Sequence, residues 1–421
     1  MSRSARTLPS TLRIHALARH LTHHNLAIPL ASPLAIPAAA IPSSAHAYST
    51  NAGAGAGVAP TSYAALTYKQ FGNPTDVLRL VQVPLPPLTS STVHVRFLAS
   101  PINPADINQI QGAYPIKPTF NDTFGAIGGN EGVAEVIAAG SDIKGLKVGD
   151  WVIPEDSGFG TWRTHARFTE AELIKLPKEG VSKIAAATIS VNPCTAYRML
   201  KDFVDLKPGD VVIQNGANSG VGQAVIQLAK AWGFKTVNVV RDRPNIDDLR
   251  AHLTSLGADL VITEQDLRTP ETAAKIKALA ATSNDDGDYK KGGGSVKLAF
   301  NCVGGQSATN LVRLLGHDAH LVTYGAMSRT PLTFPTSPFI FKNLSCHGFW
   351  MARWNARHDN SLRERMLVDL CGMIAKGQLR EVRWGKVGFA KGVGKEEESR
   401  LLAAVGKAGE GFAGEKKVFV M

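Results

Sequence analysis

In the stretch PINPADINQIQGAYPIKP, running from Pro101 to Pro118, a tyrosine, Tyr114, stands between Gly112-Ala113 and Pro115. Glycine and proline on either side mark a turn between strands, the kind of loop on which a rigid scaffold displays reactive groups. A phenol with an ordinary pKa near 10 stays protonated at neutral pH and can hand a proton to an atom that is gaining negative charge. The same side chain would also be satisfied with its ring packed beneath the loop and its hydroxyl bound to backbone. Residue types alone leave both readings open.

A second group lies in VVIQNGANSGVGQAVIQLAK. An apolar run meets Gly216, the turn carries Asn218, Ser219, Gly220, Val221 and Gly222, and an apolar helical pattern begins at once. Glycines there let backbone approach a phosphate closely, and the first amides of the helix face it with the positive end of the helix dipole. The glycine spacing departs from Gly-x-Gly-x-x-Gly and by itself fits any tight strand-to-helix turn. The next apolar run ends in VVRDRP, about 20 residues on, where a dinucleotide site handles the adenosine ribose. An acid there bonds ribose hydroxyls, whereas guanidinium groups match a 2′-phosphate. Arg241 and Arg243 against Asp242 favour NADPH, the alternative being a solvated loop. In VNPCTAYRML, Asn192 before Pro193 reads as a helix start, the amide capping and the proline at the first helical position.

The elements that must position these groups fall into two textures. From Tyr63 to about residue 177, short β-rich runs divided by Pro and Gly (VHVRFLAS, EGVAEVIAAG, DWVIPE, WRTHARF) predict a strand-dominated domain. KVGDWVIP and KPGDVVIQ each place a Gly-Asp turn before a buried strand. From about Thr195, strands and helices alternate: DVVIQNGA, GVGQAVIQLAKAWG, KTVNVVR, IDDLRAHLTSLG, DLVITE, a helix around residues 272–281, KLAFNCVG, SATNLVRLLG and HLVTYGA. Such alternation predicts a parallel sheet with crossover helices. SNDDGDYKKGGGS reads as an exposed loop.

The 421 residues carry a net charge of +11, of which 5 come from Arg3, Arg6, Arg13, Arg19 and Lys69, before the first carboxylate at Asp76. The remaining +6 suits an enzyme of anionic substrates, and no basic stripe with interleaved aromatics suggests nucleic acid. The Arg-, Ser- and Ala-rich, acid-free start has the composition of a mitochondrial transit peptide; as a helix it would align Arg6, Arg13 and His20 on one face. Prolines 29, 33, 37 and 42 break LAIPLASPLAIPAAAIP as a membrane span, and NAGAGAGVAP reads as a linker. Cys194, Cys302, Cys346 and Cys371 form no Cys-x-x-Cys pair, so neither structural zinc nor a disulfide framework is indicated. His94, His165, His320 and His347 show no spacing for a metal or a triad.

Taken together, FGNPTDVL, INPADINQIQGAYP, GGNEGVAEV, VNPCTAYRML, NGANSGVGQA, RDRP, YGAMS and FWM resemble the medium-chain dehydrogenase/reductase superfamily, and within it most closely the mitochondrial 2-enoyl thioester reductases. The resemblance spans Tyr68 to Met421. It implies an α/β architecture: a GroES-like strand-rich catalytic domain from both ends of the chain (63–191 and 349–421) around a Rossmann doubly wound parallel-sheet domain (192–348), with a transit peptide and linker at 1–62. It implies reduction of trans-2-enoyl thioesters on coenzyme A or acyl carrier protein by NADPH, in mitochondrial fatty-acid synthesis in the matrix, by a homodimer. Tyr114 would be the proton donor. Asn192 would lie near the nicotinamide, residues Asn218, Ser219, Gly220 and Val221 at the pyrophosphate, and Arg241, Asp242 and Arg243 at the 2′-phosphate. Tyr324, Gly325, Ala326 and Met327, with Phe349, Trp350 and Met351, would surround the nicotinamide half, with Lys416 near the C-terminus. YGAM also reads as a buried strand end, FWM as a core cluster, and Phe349 and Trp350 as walls of an acyl pocket. Zinc-dependent members carry a histidine where this chain has Asn130 and cysteines that it lacks before Cys194, so no metal is expected. The alternatives are a zinc-free quinone reductase of the same superfamily and a non-enzymatic nucleotide-sensing or nucleic-acid-binding protein.

Overall fold

The computed structural model describes residues 60–281, 295–389, 392–409 and 414–421. The expected leader, the linker up to residue 59 and nearly all of the SNDDGDYKKGGGS loop lie outside the described residues.

Six parallel strands form one sheet in the order Leu260–Thr263, Lys235–Val240, Val211–Gln214, Val296–Asn301, Leu315–Thr323, Ser345–Gly348. In chain order this is 3-2-1-4-5-6, the doubly wound arrangement whose reversal point opens a crevice at the carboxyl ends of the first and fourth strands. Val211, Val212, Ile213, Leu298 and Phe300 are fully buried, because helices cover both faces. The crossover helices Gly220–Ala231, Ile246–Leu256, Pro270–Ala280 and Gly305–Leu314 fall where the apolar periodicity puts them. Gly257, at φ 112, ends the second of them in the left-handed cap that glycine adopts at least cost.

The other sheet is mainly antiparallel and seven-stranded, in the order Trp384–Gly388, Lys416–Val420, Thr92–Pro101, Val133–Ala139, Trp151–Pro154, Leu173–Leu176, with His165–Thr169 also paired to Thr92–Pro101. The C-terminal strand thus sits against a strand from the start of the chain: Val418 faces Pro101 and Val420 faces Ala99. A small sheet of Arg79–Pro84, Ser62–Tyr68 and Ala126–Ile127 adjoins it. Both Gly-Asp turns form alike. Asp150 Oδ2 accepts from Lys147 N at 3.0 Å and Asp210 Oδ2 from Lys207 N at 2.8 Å, closing each turn before its strand.

Trp162 is the largest wholly buried side chain, edge-on to Phe419 at 5.4 Å and donating from Nε1 to Pro101 O at 3.1 Å. Its indole lies flat on Gly128 and Gly129; a Cβ on Gly129, where φ is 90°, would meet Trp162 Cδ1 at 2.4 Å. The Gly-Gly pair therefore exists to admit the indole, and it delivers Asn130 and Glu131 to the interior.

The strand-dominated stretch also holds the short helical pieces Pro74–Val77 and Glu170–Glu172, and one longer helix bears on the site. The residues before Tyr114 form a helix, Pro104–Ile110, so the tyrosine follows a helix and its turn is not one between strands. Asn103-Pro104-Ala105-Asp106 carried the signal: a proline at the first helical position and an acid at the third, whose Oδ2 accepts from Asn103 N at 2.7 Å. We expect Trp162→Ala to cost about 3–5 kcal/mol of unfolding free energy, read by urea denaturation; a loss below about 1 kcal/mol would mean the indole is not a core member.

Candidate active site

Tyr114 sits on a short loop tied down at both ends. Ala113 N and Tyr114 N donate to Asn108 O at 2.8 and 3.1 Å, and Gln109 Nε2 donates to Ile116 O at 3.2 Å. The phenol is half-buried, edge-on to the Trp350 ring with centroids 6.0 Å apart. Trp350 Nε1 donates to Tyr114 Oη at 2.8 Å. The hydroxyl is thus held by a side chain and not by backbone, and because indole only donates, the phenol's own proton is left to point elsewhere. Burial pushes the Tyr114 pKa up and the Asp106 carboxylate adds to this; the indole bond acts the other way.

Beneath the loop lies a polar cluster that residue types did not single out. Asp106 is fully buried; its Oδ1 accepts from Asn130 N at 2.9 Å and Asn130 Nδ2 at 2.7 Å. Glu131, equally buried, accepts from Asn103 Nδ2 at 2.8 Å, Val191 N at 2.8 Å and Ser190 Oγ at 3.2 Å. Lys416 donates to Asn103 Oδ1 and is the cation of the group. Burial raises the Asp106 pKa to about 6 against the bonds from Asn103 and Asn130, and raises that of Glu131 against the attraction of Lys416.

At the crevice of the parallel sheet, the loop after Val211–Gln214 turns at Gly216, φ 58°, where a Cβ would meet Cys302 Sγ at 2.5 Å. Ser219 caps the following helix, accepting from Gly222 N at 3.1 Å, and Gln223 Nε2 ties Asn218 O at 2.9 Å. Asn215 Nδ2 bonds Asn301 Oδ1 at 2.8 Å and Asn215 Oδ1 accepts from Cys302 N at 2.9 Å, so the two strand ends that bound the crevice are stitched together. Arg241, Asp242 and Arg243 follow Lys235–Val240 at the same edge, with Asp242 Oδ1 accepting from Arg243 N at 3.0 Å. Tyr324 N donates to Asn301 O at 3.0 Å, Met327 N to Cys302 O at 2.8 Å and Phe349 N to Thr323 O at 2.9 Å. These bonds set residues 324–327 and 349–351 along the carboxyl ends of the sheet. The Tyr324 hydroxyl is buried there beside Cys302 and Ser219, and its pKa is driven far up by burial.

Asn192 corrects one expectation. The helix Asn192–Asp202 begins a residue earlier than its sequence suggests: Val191 is the cap, Asn192 is already helical, and its amide does not cap. Glu131 takes the Val191 amide instead, and Asn192 Nδ2 lies so close to Gly220 that a Cβ there would approach it to 2.4 Å. The structure therefore brings the Asn192 amide to the glycine loop, Trp350 to Tyr114, and Lys416 to the carboxylates under the tyrosine loop. His320 and His347, which showed no relation in sequence, stack on adjacent strands with Nδ1 and Nε2 2.8 Å apart.

Two family models match the chain: the alcohol dehydrogenase GroES-like domain over residues 89–178 and the zinc-binding dehydrogenase over residues 220–366. The curated mitochondrial Enoyl-[acyl-carrier-protein] reductase of Rattus norvegicus is 48% identical over 328 residues, 78% of this chain and 83% of that protein. The one from Homo sapiens is 48% identical over 320 residues, 76% and 81% of the two chains. The chain belongs to the family of mitochondrial enoyl-acyl-carrier-protein reductases. A solved reductase of this kind, the Etr1p/NADP/crotonyl-CoA complex, superposes with TM-score 0.77 at 37% identity over 86% of this chain and 100% of that one. The quinone oxidoreductase of Pseudomonas syringae, at 20% identity and TM-score 0.67 over 85% of this chain and 100% of that one, shares the fold.

The matched zinc-binding model raises the question of a metal, and the donor set does not fit one. Asn130 spends its amide on Asp106 and Gly158, Asp106 is saturated by N–H donors, and an ammonium already stands with Glu131. Among the described residues no group of three or more His, Cys, Asp or Glu is arranged to hold a metal ion.

Because burial raises the Asp106 pKa from near 4 to about 6, the folded chain holds a proton across that window that the unfolded chain has released. The contribution of this group to stability must then fall as pH rises from 4 to 6. We expect Asp106→Asn, which cannot titrate, to flatten that fall in urea titrations at pH 4.5 and 6.5; identical pH slopes in both proteins would refute the assignment.

Proposed function

We propose that the protein reduces trans-2-enoyl thioesters with NADPH, and that Tyr114 delivers the proton to the α carbon. The observation that carries this reading is the bond from Trp350 Nε1 to Tyr114 Oη. It leaves the phenol O–H as a donor and offers the oxygen a stabilising partner once that proton has gone.

The crevice suits a dinucleotide. Backbone at Gly216 and Gly220 is bare where any side chain would collide, and Ser219 starts a twelve-residue helix whose N-terminus faces the loop. The backbone amides and side chains of Asn218, Ser219, Gly220 and Val221 would hold the pyrophosphate, and Arg241 and Arg243 the 2′-phosphate, with Asp242 engaged within its own turn. Asn192, residues 324–327 and residues 349–351 would border the nicotinamide half. When bound, the cofactor supplies a hydride to the β carbon.

The chain's own task is the other half of the reduction. Charge gathers on the α carbon and the thioester oxygen, and Tyr114 Oη gives up its proton to that carbon. The phenolate left behind keeps the indole N–H, and water reprotonates it. Because burial and Asp106 raise the Tyr114 pKa, the acid stays loaded through neutral and mildly alkaline pH. Crotonyl-CoA in the Etr1p complex supports the substrate class.

A homodimer belongs to the same reading. Among the described residues Ser345–Gly348 pairs on one side only, with Leu315–Thr323, and Phe339, Ile340 and Phe341 are exposed on the helix just before it. A solved Etr1p/Etr2p heterodimer from Candida tropicalis, 38% identical with TM-score 0.77 over 86% of this chain and 100% of that one, is a two-subunit relative.

Tyr114→Phe should fold and bind NADPH as the wild type does and lose about 100-fold or more in turnover of crotonyl-CoA, followed by NADPH absorbance. A simple quinone, which takes hydride without carbon protonation, is the control substrate. Full turnover of crotonyl-CoA by the variant would remove the phenol from the chemistry. Wild-type turnover should hold to about pH 9 and decline only above the ordinary phenol range; a loss of kcat below pH 8 would contradict the raised pKa.

A further inference from the structure

Asn130 bonds to two residues of the helix that leads into the Tyr114 loop and to a residue of a further loop. Its Nδ2 donates to Asp106 Oδ1 at 2.7 Å and to Gln109 Oε1 at 3.1 Å, its backbone N donates to the same Asp106 oxygen at 2.9 Å, and its Oδ1 accepts from Gly158 N at 2.8 Å. Gln109, itself buried, passes the chain on from Nε2 to Ile116 O at 3.2 Å, two residues beyond the tyrosine. Asp106 and Gln109 stand on the helix Pro104–Ile110, Asn130 on the segment that Gly128 and Gly129 bring under Trp162, and Gly158 on a third loop. Three separate segments thus meet at one amide.

We propose that Asn130 is a positioning residue for the reduction: its amide locks Asp106, Gln109 and Gly158 together and so fixes the loop that carries Tyr114. This rests on the reading of Tyr114 as the acid. The amide is suited to the place because it both donates and accepts. A carboxylate of the same shape would set a second negative charge against Asp106 and could not donate to Gln109. The groups that face Asp106 from the surrounding elements are Glu131 next to Asn130, Lys416 on the C-terminal strand, Tyr68 on the strand Ser62–Tyr68, and Tyr114 itself. The single ammonium is already placed with Glu131 and Asn103. Nothing in that set neutralises a further carboxylate, so the repulsion would be relieved by proton uptake.

The test uses the full chain with NADPH and crotonyl-CoA, comparing wild type, Tyr114→Phe and Asn130→Asp. At pH 8, Asn130→Asp should lose about tenfold or more in kcat while its NADPH Kd stays within threefold of wild type. Lowering the pH to 5.5 should return much of the lost kcat relative to wild type, as the two facing carboxyls share a proton; a merely structural defect would not recover. Gln109→Met cuts the link to Ile116 without adding charge and should lower kcat at both pH values, with NADPH binding retained; it decides the matter if Asn130→Asp does not fold. Wild-type kcat in either folded variant, or a loss of kcat matched by loss of NADPH binding, would overturn the proposal. A wild-type protein inactive on crotonyl-CoA would remove the reading of Tyr114 and the proposal together, whereas an inactive Tyr114→Phe beside a fully active Asn130→Asp would remove the proposal alone.

Discussion

Two carboxylates buried within one polar cluster, Asp106 and Glu131, are the constraint around which the catalytic half is arranged. Withdrawing a carboxylate from water costs several kcal/mol even after relaxation, roughly what three charge-assisted hydrogen bonds return. Each has three or more N–H or O–H donors, and each pKa nonetheless rises, so desolvation wins over the bonds. The donors come from several segments: Asn103 before the helix Pro104–Ile110, Asn130 after the Gly-Gly pair, and Ser190 and Val191 before the helix Asn192–Asp202, while Lys416 on the last strand adds its charge and donates to Asn103 Oδ1. Leaving any carboxylate oxygen bare would be costlier than keeping these segments together. The cluster therefore acts as the keystone that joins the tyrosine loop to the C-terminus and to the helix lying against the nucleotide loop.

From that keystone the site assembles in a single direction. Glu131 holds Val191, which starts the helix that sets the Asn192 amide over Gly220. Gly220 opens the helix at the reversal point of the parallel sheet, where Asn215 and Asn301 stitch the strand ends. The last strand of that sheet, Ser345–Gly348, runs into Phe349 and Trp350, and Trp350 returns to Tyr114. The sequence-distant parts close into a ring: phenol, indole, sheet edge, glycine loop, Asn192, Glu131 and back to the loop of Tyr114.

How much of this could be read from residues alone depends on whether the signal was local. The doubly wound sheet was legible because buried parallel strands give continuous apolar runs, and amphipathic helices with glycine ends separate them. The glycine loop was legible as a tight strand-to-helix turn because close backbone approach leaves its mark in residue type. The tyrosine was legible as a phenol between turn residues. The helix before it was missed, since seven residues give too short a period to see, although Asn103-Pro104 with Asp106 carried the capping pattern. Asn192 was misjudged because Asn-Pro favours a cap, and the competing acceptor, Glu131, lies sixty residues away. Asp106, Gln109 and Glu131 went unremarked for the same reason, and Asn130 was noted only as the residue in place of a zinc-binding histidine: a buried polar cluster is defined by who meets whom, and no spacing along the chain encodes that.

The proton transfer proposed for Tyr114 would ask two opposed things of the same oxygen, and the surroundings answer them separately. Before transfer Tyr114 must be a neutral acid, which burial and the negative charge of Asp106 enforce by disfavouring phenolate. After transfer the phenolate must be tolerated, and Trp350 Nε1 at 2.8 Å supplies a donor that strengthens as charge appears. A cation in the place of Trp350 would serve the second need at the expense of the first, lowering the pKa and unloading the acid at rest. A neutral donor with no acceptor function avoids that: indole stabilises the anion without competing for the proton. That Lys416 is placed with Glu131 and Asn103, one layer below, while a tryptophan meets the phenol, follows the same logic, with full charge kept for the buried carboxylates and a dipole set against the Tyr114 hydroxyl.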